Sequence, residues 1–190
     1  MNLPNKLTVG RLVLTVLFLI VFFGRSPFAD TIALALFVLA SLTDYYDGEI
    51  ARKRNLITNF GILMDPLADK ILTCSAFIAF VGHKDMAAWM AVVIVARELA
   101  ITGLRMLAAS KQKVLAAERY GKHKTISQMV AIISVLVNRS YPEWGAWTNP
   151  ILSSWVPYFA LVALWLSVVL TAFSGALYLW RNRQFYLDDR

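Results

Sequence analysis

Four aspartates capable of chemistry lie close together in this chain. Asp44, Asp47, Asp65 and Asp69 all fall within the stretch D-Y-Y-D-G-E-I-A-R-K-R-N-L-I-T-N-F-G-I-L-M-D-P-L-A-D, with long apolar runs on both sides. On a helix, Asp44, Asp47, Gly48, Ala51 and Arg52 recur at i, i+3, i+4, i+7 and i+8 and share one face; Gly61, Asp65 and Asp69 do the same at i, i+4 and i+8. Two helices meeting across the short basic connection Lys53-Arg54-Asn55 would aim four carboxylates into one space. An oxygen-only donor set suits a hard divalent cation, Mg2+, Mn2+ or Ca2+, rather than zinc. Gly48, Ala51 and Gly61 leave room for a ligand or a second backbone, and Arg52 adds a forked phosphate donor. Carboxylates, metal and arginine together describe phosphate transfer or pyrophosphate binding.

The elements that must position these groups are apolar helices. With 58% hydrophobic and 16% charged residues and a mean hydropathy of +0.58, the chain is too apolar for an ordinary soluble domain and is expected to be one all-α integral membrane domain over residues 1–190. Six spans are expected: Val9–Phe23, Thr31–Leu42 running on into Asp44 and Asp47, Ile57–Gly82 with Asp65 and Asp69, Met86–Ala109 with Arg97, Glu98 and Arg105, Ile126–Val137 with room to extend back toward Lys122, and Trp155–Trp180. The first span lacks a small-x-small cleavage pattern at its end and reads as uncleaved. Pro66 lies inside the third span, where a proline can kink the helix and free a carbonyl. Residues 138–149, with Pro142, Trp144 and Trp147, read as an interfacial turn. Lys6, Arg11, Arg52, Lys53, Arg54, Lys111, Lys113, Arg119, Lys122, Lys124, Arg181, Arg183 and Arg190 fall on one side, and only Arg25, Lys84 and Arg139 on the other. That asymmetry predicts a multi-pass cell-membrane protein with both termini and the aspartate site in the cytoplasm.

Other functions fit less well. The net charge of +7 is spread over short loops between apolar runs, which suits anionic headgroups and topology and argues against nucleic acid. A single cysteine, Cys74, excludes an intrachain disulfide framework, and no Cys/His cluster supports zinc. Carboxylates in membrane spans also mark ion pathways, so an ion-coupled transporter is the alternative of a different class. The glycines and arginine at fixed spacing favour phosphate over a bare ion. Diphosphate-cleaving prenyl synthases bring paired D-D-x-x-D acids, which are missing here.

The pattern D-x2-D-G-x2-A-R-x8-G-x3-D-x3-D, filled by Asp44, Asp47, Gly48, Ala51, Arg52, Gly61, Asp65 and Asp69, resembles the signature of the CDP-alcohol phosphotransferases, membrane enzymes of phospholipid synthesis. Glu49 departs from the aromatic or apolar residue expected at its position. Asn5, Thr8 and Arg11 are similar to the family's P-N-x-x-T-x-x-R opening, and V-A-R-E-L-A-I-T-G-L-R and G-K-H-K-T resemble segments of its phosphatidylglycerophosphate synthases. The resemblance implies that Asp44, Asp47, Asp65 and Asp69 form an Mg2+ or Mn2+ site, with Asp69 also the base for the acceptor hydroxyl. It further implies that Asn5, Thr8, Gly48, Ala51, Arg52 and Gly61 bind the CDP portion. Arg97, Arg105, Lys122 and Lys124 would then bind an acceptor that itself carries a phosphate. His83 and His123 are not expected to be catalytic. The implied substrates are CDP-diacylglycerol and glycerol 3-phosphate, alongside membrane lipids, and the implied assembly is a homodimer. The nearest alternative within the fold is a phosphatidylinositol-phosphate synthase.

Overall fold

The computed structural model describes residues 3–53, 59–110 and 119–183; within them, the side chains of 3–4, 44–53, 59–63, 65–66, 110 and 119–123 lie outside the description. Six long helices carry the chain: α1 Leu3–Phe22, α2 Ala29–Lys53, α3 Asn59–Gly82, α4 Ala88–Ser110, α5 Arg119–Ser140 and α7 Val156–Arg181. Between the last two lie a 3-10 turn, Tyr141–Trp144, and the short α6, Asn149–Leu152. No strand occurs among the described residues. The six expected spans match the six long helices, with α1, α2 and α5 longer than expected and the others within two residues at each end. The fifth starts at Arg119, so Lys122 and Lys124 belong to a helix rather than to a connecting segment, and it runs on through Ser140. The helix α3 passes through Pro66 unbroken.

The long helices alternate in direction, so the end of α2, the start of α3, the end of α4, the start of α5 and the end of α7 share one end of the bundle with the start of α1. Small residues let the helices approach: Ala33 and Ala40 of α2 and Ala76 of α3 are fully buried. Phe18 and Phe22 of α1, Phe37 of α2 and Phe80 of α3 fill the space between them, with ring centroids 5.5–5.9 Å apart. Outward faces stay apolar, as at Ile20, Val92, Leu99 and Phe173, each more than 60% exposed. In water that surface would be an aggregation liability; against acyl chains it is neutral. Among the described residues two helices, α1 from Asn5 to Phe22 and α7, are long and apolar enough to cross a bilayer on hydropathy alone, at mean hydropathies of 1.8 and 2.1. The four helices between them carry charged residues at their shared end.

The opposite end is closed by polar bonds. Arg139 at the end of α5 holds Asp30 of α2 at 2.8 Å and Asp85 of the α3–α4 turn at 3.0 Å, and its guanidinium lies over the Phe22 ring at 4.9 Å. His83 sits in the same cluster, 3.3 Å from Arg139, far from the aspartate end. Glu143 accepts hydrogen bonds from the Asp30 and Thr31 backbone N–H groups, supplying the cap that α2 lacks in its own sequence. Replacing Arg139 by alanine leaves both acids without a partner; because they are about four-fifths buried, it should cost roughly 2–3 kcal/mol, read as a lower melting midpoint in detergent. Burial raises the Asp85 carboxyl above its ordinary value despite Arg139 beside it. The folded state therefore holds that proton more tightly than the unfolded one, so this contribution to stability is complete below the ordinary carboxylate range and falls as pH rises through the raised value.

Candidate active site

The aspartate motif straddles the end of α2 and the start of α3, two helices in contact. Asp44, Asp47, Gly48, Ala51 and Arg52 occupy the last turns of α2, and Gly61, Asp65 and Asp69 the first turns of α3. Both stretches are continuous helix, so the i, i+3/i+4 recurrence seen in the sequence is realised in the backbone. Of the expected metal ligands only Asp69 has a described side chain; those of Asp44, Asp47, Asp65, Arg52 and Lys122 lie outside the described residues. Among the described residues no group of three or more His, Cys, Asp or Glu is assembled. The donor set remains all-carboxylate, on two touching helices at one end of the bundle, which fits a hard divalent cation.

Asp69 is half-buried, and the Thr73 hydroxyl donates to its backbone carbonyl at 3.1 Å. From α1, Asn5, Thr8 and Arg11 reach the same end, all buried, with Arg11 fully enclosed and its carbonyl accepting from the Thr15 hydroxyl at 2.8 Å. A basic residue and three polar ones along one face of an otherwise apolar helix are costly in a membrane unless they serve a polar site.

The cationic residues come from three helices around α4. Glu98, buried, accepts from Arg97 Nη1 at 3.3 Å and from Lys124 Nζ of α5. Its backbone carbonyl accepts from the Thr102 hydroxyl at 2.7 Å, and Thr102 Oγ1 in turn accepts from Lys70 Nζ of α3. Coulombic interactions link Asp69 to Lys70 and to Lys124, joining the end of the aspartate motif to this cluster. Arg105 donates from Nε to the Tyr178 hydroxyl of α7 at 3.4 Å and lies over that ring at 5.6 Å. Against one glutamate and Asp69 the described cluster sets four cations, Lys70, Arg97, Arg105 and Lys124. That surplus suits a phosphate dianion.

The structure therefore brings Arg97, Lys124 and Asp69 into one neighbourhood, with Arg105 at its α7 edge. Sequence reasoning missed Lys70, Thr102 and Tyr178, and gave Glu98 no part in the site. Lys70, directly after Asp69 inside an apolar span, was a usable signal. Thr102 and Tyr178 carry no charge and gave none.

The family model described as CDP-alcohol phosphatidyltransferase matches residues 1–173. A protein of Bacillus subtilis is 39% identical over 95% of each chain, one of Rickettsia bellii 37% over 93% of each, and one of Salmonella typhimurium 33% over 99% of this chain and 98% of its own. All three relatives are named CDP-diacylglycerol–glycerol-3-phosphate 3-phosphatidyltransferase.

Proposed function

We propose, since the chain belongs to the CDP-alcohol phosphatidyltransferase family, that it transfers the phosphatidyl group of CDP-diacylglycerol to glycerol 3-phosphate, yielding phosphatidylglycerophosphate and CMP. The observation that carries this choice is the shared name of relatives aligned over at least 93% of the chain. The surplus of buried and half-buried cations beside Asp69 supports an acceptor that bears its own phosphate over serine or choline.

In this reading the lipid tails stay in the bilayer and the diphosphate lies at the aspartate end. Asp44, Asp47, Asp65 and Asp69 hold Mg2+ or Mn2+, which when bound neutralises charge on the diphosphate and on the departing CMP. Asn5, Thr8, Gly48, Ala51, Arg52 and Gly61 line the CDP portion. Arg97, Arg105, Lys122 and Lys124 draw in the acceptor phosphate and orient its hydroxyl toward the phosphorus that carries the lipid. Asp69 takes the hydroxyl proton as the new O–P bond forms, and the P–O bond to CMP breaks. Asp69 lies within electrostatic range of Lys70 and Lys124, which supports placing base and acceptor side by side.

The test is CMP release by purified protein given CDP-diacylglycerol and a panel of acceptors, with and without Mg2+ or Mn2+. Release with glycerol 3-phosphate well above that with inositol phosphate, serine or choline is expected. Preference for inositol phosphate would establish the phosphatidylinositol-phosphate synthase instead, and absence of release with every acceptor would return the transporter reading.

The Lys/Arg asymmetry supports a cytoplasmic site and cytoplasmic termini, and family likeness supports a homodimer. In a Cys74→Ser background, Lys113→Cys and Trp147→Cys should label from opposite faces of the membrane. Trp147 is chosen because it is 74% exposed, whereas its neighbour Glu143 caps α2. Labelling from one face would refute the topology.

A further inference from the structure

Arg97 stands where α7 leaves room for it. A methyl group added at Gly175 would lie 2.6 Å from Arg97 Cγ, 3.6 Å from its Cβ and 3.7 Å from its Nε. Contact at 2.6 Å with Cγ cannot be relieved by swinging the tip of the side chain, because Cγ is set by the first torsion next to the helix. Gly175 lies on the buried strip of α7 with Thr171, Ser174 and Tyr178, inside regular helix, where alanine is the better helix former. Neither a turn nor a positive φ calls for glycine there. What remains is the space that the arginine stem occupies. The head of that arginine is held by Glu98 through Nη1, while its buried Nε has no hydrogen-bond partner among the described residues. Two helices thus fix Arg97 from opposite ends of its side chain and leave a donor uncommitted.

We propose that Gly175 is a positioning residue for the acceptor phosphate, acting only through Arg97, whose stem it seats so that the guanidinium meets the incoming phosphate. The proposal rests on reading Arg97 as an acceptor contact. It assigns to α7, which carries none of the motif residues, a part in acceptor selection. Charge is not altered at Gly175, so its effect must come from placement.

Steady-state CMP release by the full-length enzyme with CDP-diacylglycerol and glycerol 3-phosphate tests this as a double-mutant cycle. Gly175→Ala should raise the acceptor KM by about 10-fold or more, approaching Arg97→Ala, with the CDP-diacylglycerol KM within about twofold of wild type. In an Arg97→Ala background the clashing Cγ is gone, and Gly175→Ala should add nothing. Gly103→Ala on α4, where a methyl meets no described atom within 4 Å, serves as the control and should change neither constant. An unchanged acceptor KM in Gly175→Ala, equal increases in both KM values, or the same effect with and without Arg97 overturns the proposal. Should Gly175→Ala fail to accumulate, the Arg97→Ala/Gly175→Ala pair should accumulate like Arg97→Ala; failure of the pair as well also overturns it. Unaltered acceptor KM in Arg97→Ala removes the Arg97 assignment and this proposal with it. If wild-type enzyme instead prefers a different phosphorylated alcohol, the proposed function fails, and the cycle run on that acceptor still decides the role of Gly175.

Discussion

Asp69→Asn should still bind CDP-diacylglycerol in the presence of Mg2+ but release CMP at least about 10²-fold more slowly, the usual contribution of a general base. The substitution keeps the shape of the side chain and removes its basicity. Asp69 closes the i, i+4, i+8 face of α3 that begins at Gly61, so it stands furthest along that face from the α2–α3 junction. Its electrostatic partners are Lys70 and Lys124, which belong to the cation cluster rather than to the motif on α2. A base must reach the acceptor, and in the proposed reading the acceptor lies with the cations. Asp47 sits on α2, so Asp47→Asn should instead lose CDP-lipid binding and turnover together. Calorimetry with a CDP-lipid in parallel with CMP release separates the two variants. Equal loss of binding in both would make Asp69 chiefly a metal ligand, and near-normal turnover in Asp69→Asn would end its candidacy as base.

Arg97→Ala and Lys124→Ala should each raise the acceptor KM by roughly 10- to 150-fold, the worth of one charge-assisted bond, and leave the CDP-diacylglycerol KM nearly unchanged. They should differ in stability. Lys124 is buried and bonded to buried Glu98, so its removal strips that carboxylate of one of two cationic partners and should cost about 3–5 kcal/mol. Arg97 lies at the margin of the pair, its contact with Glu98 is longer, and its loss leaves the lysine bond intact. Adding Glu98→Gln to Lys124→Met should therefore recover the melting midpoint without recovering the acceptor KM. A double variant that recovers both would show that Lys124 serves the fold and not the acceptor. Arg105, which leans on Tyr178 rather than on a carboxylate, should affect the acceptor KM with little change in melting.

Much of this protein was legible in its sequence because membrane spans and side chains repeated at helical spacing obey strict rules. Backbone groups in a bilayer must be satisfied within the segment, so long apolar runs have to be helices. Asp44, Asp47, Asp65 and Asp69 recur at helical spacing, and α2 and α3 run continuously through them at one end of the bundle. The first-span residues Asn5, Thr8 and Arg11, singled out by their likeness to the family's opening motif, share a buried face of α1. Helix ends were less legible. Polar segments such as residues 119–125 have no apolar period to announce a helix, and the cap of α2 comes from Glu143, more than a hundred residues away. Only tertiary packing decided how the cations are arranged, because Lys70, Glu98 and Lys124 lie on three different helices. Charge patterns mark which residues are costly in lipid, but not which neighbour meets that cost. The seat for Arg97 at Gly175 lies further still from sequence, since a glycine signals space only once the atom that fills it is known.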